Sequence, residues 1–153
     1  MNPAIAVFPG SFDPITVGHV SIIRRALPLF GKVVVGIGAN TTKKTMFSAE
    51  QRVAWAKAAL SDLPNVEVIA FEGMTVDLCK RVGAAFILRG LRNGTDHDYE
   101  RSIALTNRQL SGVETVFLPA EPGHAHISST IVRELITNKA DVSALVPMDL
   151  RSM

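Results

Sequence analysis

Glycines, a serine and a histidine near the start of the chain form a pattern suited to binding phosphate. Gly10 and Ser11 follow a short apolar run, and Gly18 and His19 come where a helix is expected to begin. A glycine after a strand lets the backbone approach a ligand closely, and the free N–H groups at a helix start favour an anion. His19 could donate a hydrogen bond to charge that develops on a phosphate. The alternative is a histidine that only caps the helix or packs. We favour a role in phosphate binding, because the strand, the glycines and the helix start all fall where such a site needs them.

Two adjacent lysines, Lys43 and Lys44, lie in the loop expected after the second strand. A Lys-Lys pair is usually a solvated surface feature. A binding role is favoured for this pair because the loop falls at the edge of the sheet where a ligand is expected. Two ammonium groups there could hold an anion.

Two arginines follow the fourth predicted strand. Arg89 ends an apolar run, where a guanidinium without a partner would be costly, and Arg92 comes after a glycine that permits a turn. Arginines so placed suit bidentate binding of phosphate. Ion pairs with Asp96 or Glu100 are the structural alternative.

Three hydroxyl residues in a row, 128–130, precede a helical segment. One hydroxyl suffices to cap a helix, so three indicate a cradle for a polyanion. Glu100 also lies near a helix start, where an acidic side chain complements the helix dipole whether or not it binds a ligand.

The elements that position these residues follow from hydrophobic periodicity. Strands are predicted at residues 4–8, 32–39, 66–71, 86–89 and 114–118. Helices are predicted from about residue 16 to 30 and at 48–60, 74–82, 98–110 and 128–137, with a further short helix at 141–145. Repeated strand–helix units with continuously apolar strands indicate an α/β fold with a five-stranded, doubly wound parallel sheet and helices on both faces. In such sheets ligands bind beyond the carboxyl ends of the strands, which is where the phosphate-binding candidates fall.

The composition is that of one globular domain spanning residues 1–153, with 47% hydrophobic and 20% charged residues. A net charge of +2 is too small for the basic surface typical of nucleic-acid binders. The single cysteine, Cys79, excludes an intrachain disulfide and is expected to be a buried apolar residue on a helix. The N-terminus lacks a signal-peptide pattern and no apolar run approaches the roughly 20 residues of a membrane span, so we expect a cytoplasmic protein without a membrane partner.

Residues 10–14 together with Gly18 and His19 resemble the signature of the nucleotidylyltransferase superfamily, a Rossmann-like group with a glycine–histidine motif. Thr16 stands where many members carry a first histidine, which resembles the phosphopantetheine adenylyltransferases. Ser11 departs from the common threonine but keeps the hydroxyl. The resemblance covers about residues 4–145 and includes the segments 43–47, 89–92, 99–108 and 127–133.

The resemblance implies transfer of AMP from ATP to 4′-phosphopantetheine, giving dephospho-coenzyme A and pyrophosphate. The catalytic residues would be His19, Lys43 and Arg92. It further implies ATP contacts from Gly10, Ser11, Phe12, Gly18, His19, Gly90, Leu91, Arg92, Glu100, His124, Ile127, Ser128, Ser129 and Thr130, and acceptor contacts from Ser11, Lys43, Thr75 and Arg89. Mg²⁺ would accompany ATP without a dedicated set of protein ligands, and the expected assembly is a homohexamer, a dimer of trimers.

Other readings stay open. The acceptor could be nicotinamide mononucleotide, or the reaction could be cytidylyl transfer to a polyol phosphate, because the hydroxyl motif at residues 127–133 does not select the acceptor. From other classes, the chain could be a nucleotide-binding regulatory module without chemistry, or an interaction protein with an incidental Rossmann-like fold.

Overall fold

A single five-stranded sheet forms the centre of the molecule in the computed structural model, which describes residues 2–40 and 42–150. Its strands are β1 (Asn2–Gly10), β2 (Lys32–Gly38), β3 (Val66–Phe71), β4 (Ala84–Leu91) and β5 (Glu114–Pro119). The strand order is β3-β2-β1-β4-β5 and every neighbouring pair is parallel. The chain moves outward from β1 in one direction and then returns to continue from β4 in the other. Such a reversal opens a crevice at the carboxyl ends of β1 and β4.

Helices cover both faces of the sheet, which confirms the predicted fold class. They are α1 (Val17–Ala26), α2 (Ala49–Ala59), α3 (Thr75–Val82), α4 (Gly94–Ser111) and α5 (Ser129–Thr137), with a short 3₁₀ turn at Pro122–His124. None of these described helices is long and apolar enough to cross a membrane.

Alternate side chains of β1 supply the two halves of the hydrophobic core. Phe8 packs on one face with Ile23 of α1 and Trp55 of α2. Val7 packs on the other face with a cluster that includes Cys79 of α3. This alternation is the period of two expected of a strand that is covered on both sides. Cys79 is a buried, free cysteine, as predicted.

Two predicted helix boundaries are wrong. The first helix ends at Ala26 rather than at residue 30, because Pro28 has no N–H to donate to the Arg24 carbonyl. The fourth begins at Gly94 rather than at residue 98, because the Asn93 side chain accepts a hydrogen bond from the Asp96 N–H and caps the helix there.

The short helix predicted at 141–145 is also wrong. This segment makes one turn, in which the N–H groups of Leu145 and Val146 both donate to the carbonyl of Val142. The Asp141 carboxylate accepts from the Ser143 N–H, a local bond that competes with helix formation.

Candidate active site

Two adjoining cavities lie at the carboxyl edge of the sheet. The first, about 340 Å³, is bounded by the loop after β1, the starts of α1, α4 and α5, and the end of β4. The second, about 490 Å³, is bounded by the ends of β2, β3 and β4 and by α4. The first cavity brings together these predicted site residues: Gly10, Ser11, Phe12, Gly18, His19, Lys43, Arg89, Gly90, Arg92, Glu100, His124, Ile127, Ser128, Ser129 and Thr130.

Two predicted residues lie outside the first cavity. Thr75 lines the second cavity, as its predicted acceptor role requires. Leu91 is not among the described residues that line either cavity, and its carbonyl accepts the N–H of Ala120 at 2.7 Å. The predicted ATP contact of Leu91 stays a prediction.

His19 closes the first turn of α1 through a reciprocal cap with Thr16. The Thr16 N–H donates to His19 Nδ1 at 2.9 Å, and the His19 N–H donates to Thr16 Oγ1 at 3.3 Å. A backbone amide can only donate, so Nδ1 must be unprotonated and Nε2 carries the hydrogen of the neutral ring. The nitrogen left for a ligand in the first cavity is therefore a hydrogen-bond donor.

The electrostatic surroundings of His19 favour the neutral imidazole. Burial, reinforced by the positive charges of Arg89 and Arg92, lowers the pKa of His19 to about 4. Phe12 contacts the ring with a centroid separation of 4.8 Å, which fixes its orientation from the side. At neutral pH, His19 can stabilise negative charge by donating from Nε2 without itself carrying a positive charge.

Lys43 links the loop after β2 to the loop after β1. Its Nζ donates to Ser11 Oγ at 2.7 Å, across 32 residues of sequence. Both residues line both cavities, so the ammonium group sits where the two cavities meet. Lys44 is exposed and is not among the described residues that line these cavities.

Arg89 and Arg92 are held by carboxylates, the structural alternative that the sequence left open. Arg89 Nε and Nη2 donate to the Glu100 carboxylate at 3.0 and 2.7 Å, and Nη1 donates to the Pro9 carbonyl at 2.7 Å. Arg92 makes a weaker pair with Asp96, at 3.1 and 3.3 Å. Arg89 has thus used three of its five donors and Arg92 two, which leaves N–H groups on both for an anion.

Glu100 reaches the first cavity mainly as the partner of Arg89. Its side chain is 13% exposed and both carboxylate oxygens accept from the guanidinium. The sequence predicted a direct contact with ATP, whereas the structure gives Glu100 the additional task of orienting Arg89.

The three hydroxyls at the start of α5 have three different partners. Ser128 caps the helix by accepting from the Ile131 N–H, Ser129 donates to the Pro14 carbonyl at 2.8 Å, and Thr130 accepts from Arg133. The Ser129 bond joins α5 to the loop after β1 across 115 residues. It brings the first N–H groups of α5, which have no acceptor within their own helix, to the cavity that His19 also lines.

His124 lies beside the start of α1 and also lines the first cavity. Its Nδ1 is buried and has no hydrogen-bond partner among the described residues. A Cβ on Gly18 would lie 3.9 Å from His124 Cβ, an ordinary van der Waals contact, so the packing of these two segments does not by itself require glycine here.

Sequence reasoning missed two buried charged residues behind the cavities, Asp13 and Arg52, each only 3% exposed. The Asp13 carboxylate accepts the N–H groups of Met46 and Phe47 at 2.9 and 3.0 Å. The guanidinium of Arg52 donates to three backbone carbonyls. A signal was available for Arg52, because it shares the buried face of α2 with Trp55 at helical spacing.

Comparisons with known proteins identify relatives along nearly the whole chain. The cytidylyltransferase-like family model matches residues 7–135. A phosphopantetheine adenylyltransferase of Flavobacterium psychrophilum is 53% identical over 95% of this chain and 97% of its own length. Another, of Christiangramia forsetii, is 49% identical over 93% of this chain and 94% of its own.

Solved structures show the same fold at low sequence identity. A bifunctional NMN adenylyltransferase/ADP ribose pyrophosphatase from Francisella tularensis matches with a TM-score of 0.73 at 20% identity, over 97% of this chain and 46% of that one. A protein from Vibrio parahaemolyticus matches with a TM-score of 0.73 at 19% identity, over 97% of this chain and 89% of that one. At such identities the likeness concerns the fold alone.

Proposed function

This chain belongs to the phosphopantetheine adenylyltransferase family, and we propose that it transfers the adenylyl group of ATP to 4′-phosphopantetheine, releasing pyrophosphate. The observation that carries the proposal is the junction of the two cavities. Ser11, Lys43 and Arg89 line both of them, so cationic and hydroxyl groups stand where two phosphates would have to meet.

The first cavity suits a nucleoside triphosphate. It combines the starts of α1 and α5 with donors from His19 and Arg92. The second cavity suits a longer acceptor with a mixed surface, because apolar Ile87 and Ile103 alternate there with the polar side chains of Thr75 and Asn107.

The reaction is a direct displacement. An oxygen of the acceptor phosphate forms a bond to the α-phosphorus of ATP, and the bond from that phosphorus to the bridging oxygen of pyrophosphate breaks. The acceptor is already a nucleophile, so no side chain needs to attack, and catalysis consists of positioning and of neutralising charge. His19 Nε2–H and Lys43 stabilise the charge on the α-phosphoryl oxygens in the transition state.

The remaining groups bind the two ends of the reacting assembly. Arg92 and the N–H groups at the start of α5 hold the pyrophosphate as it leaves. Ser11 and Arg89 seat the acceptor phosphate, with Glu100 keeping the Arg89 guanidinium in place.

Mg²⁺ enters with ATP in this proposal. The carboxylates among the residues lining the two cavities, those of Asp96 and Glu100, are each paired with an arginine. The ion would therefore be coordinated by phosphate oxygens and water, and it would neutralise charge on the departing pyrophosphate.

We further propose a homohexamer in the cytoplasm. None of the 18 residues of α4, all of which the structure describes, is buried. Tyr99 and Leu110 on this helix are 70% and 62% exposed, and Ile103 and Leu105 are exposed as well. A helix this long with so many exposed apolar side chains supports burial against other copies of the chain.

An acceptor panel tests the proposed reaction. Pyrophosphate release would be measured with ATP and 4′-phosphopantetheine, with ATP and nicotinamide mononucleotide, and with CTP and a polyol phosphate. Pantetheine without its phosphate is the matched control, because it fills the second cavity but lacks the nucleophile. We expect pyrophosphate release only in the arm that contains both ATP and 4′-phosphopantetheine. ATP binding without pyrophosphate release in any arm would instead favour a regulatory module.

A further inference from the structure

We propose that Arg52, which lies outside both cavities, is a positioning residue that sets the Lys43–Ser11 contact and thereby selectively controls use of the acceptor. The inference rests on the proposed function for its kinetic consequence. Its structural part, that Arg52 holds two loops in register, stands on the contacts alone.

Arg52 joins the two loops that carry the acceptor-binding groups. Its Nη1 donates to the carbonyls of Ser11, at 2.7 Å, and of Gly38, at 2.8 Å. Its Nε donates to the Phe47 carbonyl at 3.1 Å. Gly38 ends β2 and Phe47 precedes α2, so the guanidinium holds both ends of the loop that carries Lys43. The same group holds the backbone of Ser11, the residue whose hydroxyl Lys43 contacts.

Asp13 completes the arrangement from the other side. Its carboxylate accepts the N–H groups of Met46 and Phe47, so the loop after β1 holds the end of the Lys43 loop directly. Arg52 and Asp13 are both 3% exposed. Burial lowers the pKa of the Arg52 guanidinium from its ordinary value, and the negative charge of Asp13 partly offsets this. Burying a guanidinium costs desolvation free energy, even when it donates to three carbonyl groups. We infer that Arg52 is retained because its fork of donors fixes the relative positions of the two loops.

A lysine cannot replace this arginine. The guanidinium is planar and presents its donors in a rigid fork, whereas an ammonium is a point charge on a flexible stem. Arg52→Lys therefore keeps the positive charge beside Asp13 but loses the simultaneous hold on Ser11, Gly38 and Phe47. Among the groups proposed to bind ATP, His19, Arg92 and the start of α5 form no hydrogen bond with Arg52 in the described part of the chain. Ser11, which was predicted to contact both ATP and the acceptor, is held by Arg52 through its carbonyl.

Steady-state kinetics of Arg52→Lys, with Arg52→Met as a second variant, test the inference. We expect KM for 4′-phosphopantetheine to rise by roughly 10- to 100-fold, as small misplacements of contacting groups do, while KM for ATP stays within about twofold. The value of kcat should fall as well, because Lys43 also acts in the transition state. Arg24→Lys is the matched control, because Arg24 forms an exposed pair with Asp62, and it should change neither constant. A KM for ATP that rises as far as KM for 4′-phosphopantetheine, or unchanged kinetics with only a lower Tm, would overturn the proposal.

A double variant separates positioning from general weakening of the fold. If Arg52 acts through Lys43, Arg52→Lys in a Lys43→Ala background should cost at most about threefold more, since coupled residues are not additive. Full additivity of the two losses would contradict the proposed route.

A crystal structure of Arg52→Lys gives a readout that does not depend on activity. The inference predicts that the Lys43 Nζ–Ser11 Oγ contact, 2.7 Å in the parent chain, is lost while the sheet is unchanged. If the parent chain shows no transfer to 4′-phosphopantetheine, the proposed function fails, and this distance still decides whether Arg52 positions the loops. A retained contact would refute the structural part.

Discussion

At the scale of single residues, His19 joins a structural and a chemical role in one ring. Nδ1 accepts the Thr16 N–H and completes the cap of α1, which fixes the hydrogen on Nε2. The pKa of about 4 keeps the ring neutral at physiological pH. The two roles can be separated by substitution, because the cap needs only an acceptor whereas the chemistry needs the donor.

His19→Gln and His19→Ala should differ in stability and in how much turnover they lose. Glutamine at this position of a capping box keeps an acceptor for the Thr16 N–H, so its stability should stay close to that of the parent, whereas alanine should lose about 1 kcal/mol. His19→Ala should lower kcat by about 10²- to 10³-fold, the effect of removing one donor to a charged transition state, whereas His19→Gln, whose amide keeps an N–H donor, should lower it less. Pyrophosphate release and urea unfolding would be measured for both, and a near-normal kcat in His19→Ala would refute the catalytic role.

The lowered pKa of His19 also predicts how stability depends on pH. The unfolded chain takes up the proton near pH 6.5 and the folded chain only near pH 4, so the unfolded state binds more protons between these values. The contribution of His19 to stability is complete above pH 6.5 and is lost as the pH falls towards 4. The free energy of unfolding should fall by roughly 1–3 kcal/mol more in the parent than in His19→Gln over this window. Identical slopes would contradict the lowered pKa.

Residue types and spacing were sufficient to place most of the candidate site. Gly10, His19 and residues 128–130 were predicted to share a cleft, and they line one cavity. The tautomer of His19 was beyond reach, because it depends on a backbone donor whose position only the folded turn defines. The burial of Arg52 could have been predicted from its helical spacing to Trp55, but its partners could not, because they are backbone carbonyl groups that side-chain identity does not reveal.

At the scale of elements, apolar periodicity located the strands and most helices, while caps and prolines set their ends. Pro28 stops α1 early and Asn93 starts α4 early, both through local hydrogen bonding that periodicity does not register.

Close packing between elements is a separate constraint. Gly36 in β2 faces Leu78 of α3, and a Cβ on Gly36 would lie 2.6 Å from Leu78 Cδ2 and 3.2 Å from the Phe71 ring.

Gly36→Ala should therefore destabilise the chain. The added methyl group forces the Leu78 side chain to move within a packed cluster, and such overpacking costs about 1–3 kcal/mol. Gly94→Ala is the matched control, since nothing lies within 4 Å of its Cβ at the start of α4. Thermal and urea unfolding of both variants would be compared. Equal stabilities would show that β2 and α3 are not closely packed at this point.

At the scale of the whole molecule, strand order makes one site from distant parts of the chain. Because β1 lies between β2 and β4, the Ser11 loop meets Lys43 on one side and Arg89 on the other. The sequence predicted a parallel sheet but could not supply this order, since pairing between strands is decided by tertiary packing rather than by local pattern. Assembly belongs to the same scale, because the exposed apolar side chains of α4 are proposed to be buried between copies of the chain.

Leu110→Glu should weaken self-association. Leu110 is 62% exposed on α4, and a charge placed in an apolar contact between copies would be buried without a partner. Gln109→Glu adds the same charge at a neighbouring exposed position and should have little effect. Sedimentation velocity would give six chains per particle for the parent and smaller species for Leu110→Glu. A monomeric parent chain would contradict the proposed hexamer.

The central claim is that a triphosphate lies between two helix starts from opposite ends of the chain. A crystal structure with an ATP analogue that cannot be cleaved between its α- and β-phosphates tests it most directly. We expect an α-phosphate oxygen within hydrogen-bond distance of His19 Nε2 and the β- and γ-phosphates against the first N–H groups of α5. A triphosphate bound outside the first cavity, or touching only one of the two helix starts, would contradict the account.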